Sequence, residues 1–373
     1  MQEKLYLKNI RRYDTQQRMF VPGSVLTAGE KIVALDEPCP ADAAVLDGGG
    51  KLLLPGLIDV HTHGRCGYDF DSAEPEEIDR MMHAYALDGT TTAIPTIASA
   101  PFEQMLCAVE RARMCGAYAV HIEGRYLSPK RRGAHRADLL AEPRTEELKL
   151  LLEKAGTMHL HLTVAPELPG GRTFIQEAIA MGASVSMGHT DATWEQAQEA
   201  IAWGVGGASH LCNAMPPLHH RQPGAIGAAL CEDIYTELIC DGMHVHPGMI
   251  RLVQKIKNPE KIVLITDSMS ATGCPDGRYA IAGLPVNVVN GEARNEEGAL
   301  AGSTLVLWRG LHNFMRFCGL TLEQALPCAT IQPAKMLGLD DRIGSLCPGK
   351  DADMLLCCGE QIETVIRRGK VIQ

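Results

Sequence analysis

The chain has 373 residues, 46% hydrophobic and 21% charged, with 37 glycines and 21 prolines, enough apolar material for a sizeable core and a composition that excludes a disordered or fibrous chain. At this length, one α/β barrel of about 250 residues with a smaller companion fits better than three average domains. A balance of 35 basic against 45 acidic residues gives a formal net charge of -10, which argues against a surface built for nucleic acid or anionic membrane but allows an anionic small molecule in a local cationic pocket.

Residues 1 to about 50 alternate short β-rich pieces, Lys4 to Ile10, Met19 to Leu26 and Lys31 to Leu35, with turn clusters such as Asp47-Gly48-Gly49-Gly50. Two further β-rich runs, Asp353 to Cys358 and Ile362 to Ile372, follow the turn-like Cys347-Pro348-Gly349-Lys350-Asp351. Both ends are therefore expected to build one small β-sandwich domain (1–50 and 345–373) around a central domain, 51–344.

In the centre, short apolar runs alternate with amphipathic segments, the pattern of a parallel sheet with crossover helices. The expected strands are Leu57 to His61, Thr91 to Pro95, Tyr118 to Glu123, His159 to Ala165, Ser184 to Gly188, Ala208 to Leu211, Glu237 to Asp241 and Ile262 to Asp267. Expected helices are Pro75 to Leu87, Phe102 to Cys115, Glu146 to Lys154, Thr173 to Met181, Trp194 to Trp203 and Met249 to Ile256. Eight such units closing on themselves give a (β/α)8 TIM-type barrel; an open doubly wound sheet has the same strand count. Between about 273 and 302 the repeat breaks into short strands around Asn290-Gly291, an inserted hairpin over the barrel mouth.

Several apolar runs end in a residue able to hold a metal: His61 and His63 after Leu57-Ile58-Asp59-Val60, Glu123 after Ala119 to Ile122, His189 after Val185 to Gly188, His210 after Gly207 to Ser209, and Asp267 after Val263 to Thr266. In a barrel these strand ends share one rim, and the period of two puts His61 and His63 on one face. Imidazoles and carboxylates converging there match the donors suited to zinc or iron. A metal at such a rim lowers the pKa of a water and polarises a carbonyl, so hydrolysis of an amide or ester is the natural reaction. His121, His159 and His161 lie inside strand runs and read as satisfied core histidines, and a helix N-cap before Ser268-Met269-Ser270 is the lesser reading of Asp267 taken alone.

Thirteen cysteines, odd in number and without a Cys-x-x-Cys pair, read as reduced and mostly buried thiols. There is no run of 18 uncharged apolar residues, and Met1-Gln2-Glu3-Lys4 lacks a leader's apolar stretch; a soluble, cytoplasmic protein is expected.

At these residues the sequence resembles the amidohydrolase superfamily over nearly the whole chain, and within it the amino-sugar-phosphate deacetylases. The resemblance rests on Pro55 to Gly64, His121-Ile122-Glu123-Gly124 with Lys130 to His135, Gly188-His189-Thr190-Asp191-Ala192, His210 to Gly224, Asp241-Gly242-Met243-His244, Thr266 to Gly273, and Leu300-Ala301-Gly302-Ser303. It implies removal of the N-acetyl group from N-acetylglucosamine 6-phosphate, giving glucosamine 6-phosphate and acetate, with one or two divalent ions (zinc, iron or manganese) per chain. Glu123, His189 and His210 would hold the main ion and His61 and His63 a second. Asp267 would be general base and then acid, and His135 would polarise the acetyl carbonyl. Substrate contacts would come from Ala134, Asn213, Ala214, His244, Leu300, Ala301 and Gly302. Arg221 would reach the phosphate in the neighbouring subunit of a homodimer. Two places depart from the resemblance: Arg125-Tyr126, where proline and an aromatic are usual, and Arg65-Cys66, where small residues are. Alternatives are an amidohydrolase acting on another N-acetylated amino sugar phosphate or an N-acyl amino acid, and a non-catalytic binding protein that has inherited the fold.

Overall fold

The computed structural model describes residues 3–373. Eight strands, all paired in parallel, run in the order Ile58–Thr62, Thr92–Ala98, Ala119–Glu123, His159–Val164, Ser184–Met187, Gly207–Ala208, Tyr235–Ile239 and Ile262–Ile265. They curl into a nearly closed barrel with helices outside, as the alternation of apolar runs and amphipathic segments predicts. The first helix, Pro75–Leu87, shows the local logic: Glu74 and Glu77 form a capping box, Pro75 opens the first turn, and Ile78, Met81, Met82 and Tyr85 form the buried stripe.

Four α-helices, Gly224–Cys231, Leu307–Cys318 and the short Leu322–Ala325 and Ile331–Met336, escape the sequence expectation. Gly224–Cys231 is buried on nearly every side, so it carries no amphipathic period to detect. Leu307–Cys318 does carry one, with Leu307, Gly310, Leu311 and Phe314 buried, and its stripe was readable. The strand expected over Ala208 to Leu211 is only Gly207–Ala208. It ends early because the chain turns left-handed at His210, φ 27°.

The strands of both termini join one separate seven-stranded sheet. The outer strand Lys31–Leu35 also bonds to the 349–352 segment, Ile32 N–H donating to the Lys350 carbonyl at 2.9 Å and Gly349 N–H to the Ile32 carbonyl at 2.8 Å. The sheet thus curls over a core that includes Leu7, Val25, Ile32, Leu53, Met354 and Ile366. The glycine cluster at 48–50 is not a turn, as expected from composition, but lies inside the strand Ala44–Pro55. There it forms an irregularity opposite Asn9, which has φ 52° and donates to Asp47 at 2.8 Å. A Cβ on Gly48 would meet Ile10 Cγ2 at 2.4 Å, so close approach to the neighbouring strand requires glycine.

The insertion after the last barrel strand is a three-stranded antiparallel sheet, Gly277–Ile281, Leu284–Val289 and Glu292–Asn295. It turns at Asn290-Gly291, both with positive φ, the signature of a tight hairpin. Ile281, Val286 and Val288 pack on Met269, Ala271 and Ala301, holding the insertion against the barrel mouth. The cysteines correct another expectation: all thirteen are free, but only Cys240, Cys328 and Cys357 are buried. Among the described residues, no helix is long and apolar enough to cross a membrane.

Candidate active site

The C-terminal ends of the barrel strands open on a cavity of about 290 Å³. Lining it are His63, Glu123, Ala134, His135, His189, His210, Asn213, Ala214, His244, Asp267, Leu300, Ala301 and Gly302. His61 is fully buried behind them. Arg221 lies elsewhere, exposed on a loop, where its Nη1 donates to His220 Nε2 at 2.8 Å.

Glu123 is the hub. Its Oε1 is 2.7 Å from His210 Nε2 and 3.2 Å from both His189 Nε2 and His61 Nε2. Its Oε2 is 3.0 Å from His63 Nε2, which is 3.2 Å from Asp267 Oδ1. Two groups of converging donors therefore share Glu123: one with His61, His63 and Asp267, the other with His189 and His210.

The residues fit a divalent cation. The Nε2 atoms of His189 and His210 are 3.0 Å apart, and His61 Nε2 has no hydrogen-bond partner although it is buried. Neutral imidazole lone pairs aimed at one point repel unless a proton or cation sits between them, and this set of His nitrogens and carboxylate oxygens suits zinc, iron or manganese. Burial opposes charge on His63, yet Asp267 and Glu123 raise its pKa to about 10. Burial raises the Glu123 pKa, but His61 and His210 hold it well below the ordinary range. Asp267 is likewise penalised by burial and held at about 2, mainly by His63 and His61.

Backbone strain aims these side chains. His189, His210 and Asp267 have φ of 45°, 27° and 52°, a left-handed region costly for residues with a Cβ. Each lies just past the end of its strand, where the kink turns the side chain over the rim.

Behind the rim stand partners that the sequence reading missed. Glu237 Oε2 accepts from His61 Nδ1 at 2.8 Å, and the Arg131 carbonyl accepts from His189 Nδ1 at 2.9 Å; both leave Nε2 facing the centre. The Ser99 backbone N–H donates to His135 Nδ1 at 3.4 Å, which makes that nitrogen an acceptor, so the Ser99 hydroxyl also donates to it at 2.9 Å. Burial pushes His135 down to about 4, so the ring is neutral and carries its proton on Nε2, 3.7 Å from Glu123. His244 is oriented by Asp241, its Nδ1 2.6 Å from Oδ2. None of these partners sits at a sequence spacing that announces it, though Asp241 lies in a motif already singled out.

The two departures are resolved by where the arginines point. Arg125 reaches Glu147 at 3.2 Å and lies over Phe102. Arg65 pairs with Asp88 and stacks on Tyr85. Neither lines the cavity. His121 and His161 have hydroxyl partners in the barrel interior, Thr163 and Ser184, each at 2.7 Å.

Residues 52–372 match the model of the amidohydrolase family. The chain belongs to that family. This amidohydrolase is 35% identical to the N-acetylgalactosamine-6-phosphate deacetylase of Escherichia coli O157:H7, over 93% of this chain and 94% of that one. It is 36% identical to the N-acetylglucosamine-6-phosphate deacetylase of Vibrio furnissii, over 86% and 82% of the two chains. In three dimensions it resembles the N-acetylglucosamine-6-phosphate deacetylase of Pasteurella multocida, with a TM-score of 0.93 at 30% identity over 99% of each chain. An Asp-to-Ala mutant of the Mycobacterium smegmatis enzyme, in complex with N-acetyl-D-glucosamine 6-phosphate, gives 0.90 at 31% identity over 99% of each chain.

Proposed function

We propose that this amidohydrolase removes the acetyl group from N-acetylglucosamine 6-phosphate, giving glucosamine 6-phosphate and acetate. The observation that carries the reading is the convergence of Asp267 and four imidazole Nε2 atoms around Glu123 beside the cavity. The relatives named above supply the substrate class. A binding protein that had lost catalysis would have lost ligands, and every expected one is present.

Glu123, His189 and His210 would hold one divalent ion, and His61 and His63 with Glu123 a second. When bound, such an ion lowers the pKa of water and polarises the attacked carbonyl. Asp267, ionised and within reach of His63, takes the proton of the attacking water. His135, neutral with Nε2–H toward the cavity, donates to the acetyl oxygen as it gains charge. The C–N bond then breaks, Asp267 returns its proton to the leaving amine, and acetate departs. His244, Asn213 and the backbone around Ala214 are suitable donors for a phosphate, while Ala134, Leu300, Ala301 and Gly302 would shape the sugar site.

The exposed position of Arg221, outside its own cavity, supports a role in the site of a second copy, hence a homodimer. Thirteen unpaired thiols support a reducing, cytoplasmic setting. The Escherichia coli relative favours a second reading, in which the C4 epimer N-acetylgalactosamine 6-phosphate is the better substrate. Acetate release measured with both sugar phosphates on zinc-loaded and iron-loaded protein tests the proposal. Hydrolysis of N-acetylglucosamine 6-phosphate at the higher kcat/KM supports it; preference for the epimer supports the second reading, and no hydrolysis of either rejects both.

A further inference from the structure

We propose that Glu237 is a positioning residue that shapes both groups of metal donors from beneath; the proposal rests on reading those donors as a metal centre. Glu237 is 0% exposed on the strand Tyr235–Ile239. It neither lines the cavity nor belongs to either converging donor group. Yet its Oε2 accepts two hydrogen bonds that reach one residue in each group. One comes from His61 Nδ1 at 2.8 Å, the other from the backbone N–H of His210 at 3.1 Å. Its main-chain carbonyl accepts a third, from the Leu211 N–H at 2.9 Å.

These contacts do two separate jobs. A buried neutral imidazole presents a lone pair on only one nitrogen, and the hydrogen bond made by the other nitrogen decides which. By accepting the proton on Nδ1, Glu237 leaves the His61 lone pair on Nε2, facing Glu123 at 3.2 Å and Asp267 at 3.6 Å. Ligating histidines are commonly fixed by such carboxylates, whose loss weakens metal binding about 10- to 100-fold. At His210 the problem is backbone conformation. Left-handed φ at a non-glycine residue is costly and persists only where the surroundings over-determine it. Side chain and main chain of Glu237 grip the kink on both sides, at the N–H groups of 210 and 211, and so hold Nε2 of His210 at Glu123. One carboxylate therefore couples the two donor groups.

The test uses Glu237→Leu, which removes the acceptor at similar volume, and Glu237→Gln, which keeps an acceptor but not the charge. Zinc affinity is read by competition with a chromophoric chelator, with circular dichroism as a check on folding. E237L is expected to bind zinc 10- to 100-fold more weakly than the parent, and E237Q less than tenfold more weakly. In a His61→Ala background the cost of E237L should shrink, because one of the two contacts is already gone. Parental affinity in folded E237L, or an undiminished cost beside His61→Ala, overturns the proposal. Should E237L not fold, the ¹⁵N spectrum of the histidine rings in zinc-loaded parent protein decides instead. A proton on Nδ1 of His61, shifting in E237Q, supports the assignment, and a proton on Nε2 alone rejects it. If the parent itself binds no zinc, the failure belongs to the metal-centre reading and not to Glu237.

Discussion

The backbone N–H of Asp267 donates to the carbonyl of His61 at 2.9 Å, joining the last barrel strand to the first where no regular ladder connects them. Other bonds stitch the same seam. His63 N–H donates to the Ser268 carbonyl at 2.7 Å, the Thr266 hydroxyl to Asp59 at 2.5 Å, and the Thr62 and Ser268 hydroxyls lie 2.7 Å apart. Barrel closure and the placing of Asp267 against the His61–His63 pair are thus one structural event, carried by side chains and loop backbone in place of a ladder.

Tyr85 is the outer clamp of this seam. Its hydroxyl donates to the Gly64 carbonyl at 2.7 Å and lies 2.6 Å from Thr62 Oγ1, fully buried. Tyr85→Phe should cost about 1 to 3 kcal/mol, the range for leaving buried partners unsatisfied. Urea unfolding measures the loss; a change below about 0.5 kcal/mol would show that the seam does not depend on this hydroxyl.

Asp267 and the histidines should separate in their effects. Asp267→Asn is expected to keep nearly the parental metal content while lowering kcat by about two to four orders of magnitude, the usual contribution of a general acid-base group. His189→Ala and His210→Ala should lose metal together with rate. Metal analysis beside kcat on each purified variant checks this. A tenfold loss or less for D267N removes Asp267 from its role, and stoichiometric metal in both histidine variants overturns the ligand assignment.

What was legible in the sequence were side chains placed by strand periodicity. His61, Glu123, His189, His210 and Asp267 each sit at or just beyond the end of an apolar run, and the barrel brings such ends together. Glu237 was not legible, because one carboxylate inside a strand gains meaning only when another strand lays an imidazole against it. Ser99 likewise matters only through its distance to His135, 36 positions away in sequence. The glycines at 48–50 misled for a local reason: glycine favours turns by conformation, but here it serves a strand irregularity against Asn9 and Ile10. The short strand Gly207–Ala208 was overextended because Leu211 is apolar and buried without being β.

Buried His161 sets a direction for acid sensitivity. Burial pushes its pKa down from 6.5 to about 3, with the neighbouring His159 and His61 adding repulsion. Between those values the unfolded chain binds a proton that the native chain refuses. The resulting stability is fully present above about pH 6.5 and is lost as pH falls toward 3, by up to a few kcal/mol. Urea unfolding of chelator-treated protein from pH 7 to pH 4 should show this decline, and His161→Gln should flatten part of it. Equal slopes in parent and variant would remove His161 as a source.

Arg221 distinguishes a self-contained site from a shared one. It is exposed on a loop outside the cavity of its own chain, and a phosphate dianion in a protein of net charge -10 needs a local cation. Arg221→Ala should chiefly raise KM for the phosphorylated sugar, about 10- to 100-fold, equivalent to roughly 1.5 to 3 kcal/mol for a lost charged hydrogen bond. It should matter little for the unphosphorylated sugar. Mixing R221A chains with D267N chains tests the sharing. In a mixed dimer the site on the R221A chain has its own Asp267 and receives Arg221 from its neighbour, while the other site carries both defects. Low-KM turnover should therefore return on mixing, approaching half the parental rate per mixed dimer. Absence of recovery, with subunit exchange shown by differential labelling, would place Arg221 outside the partner's site.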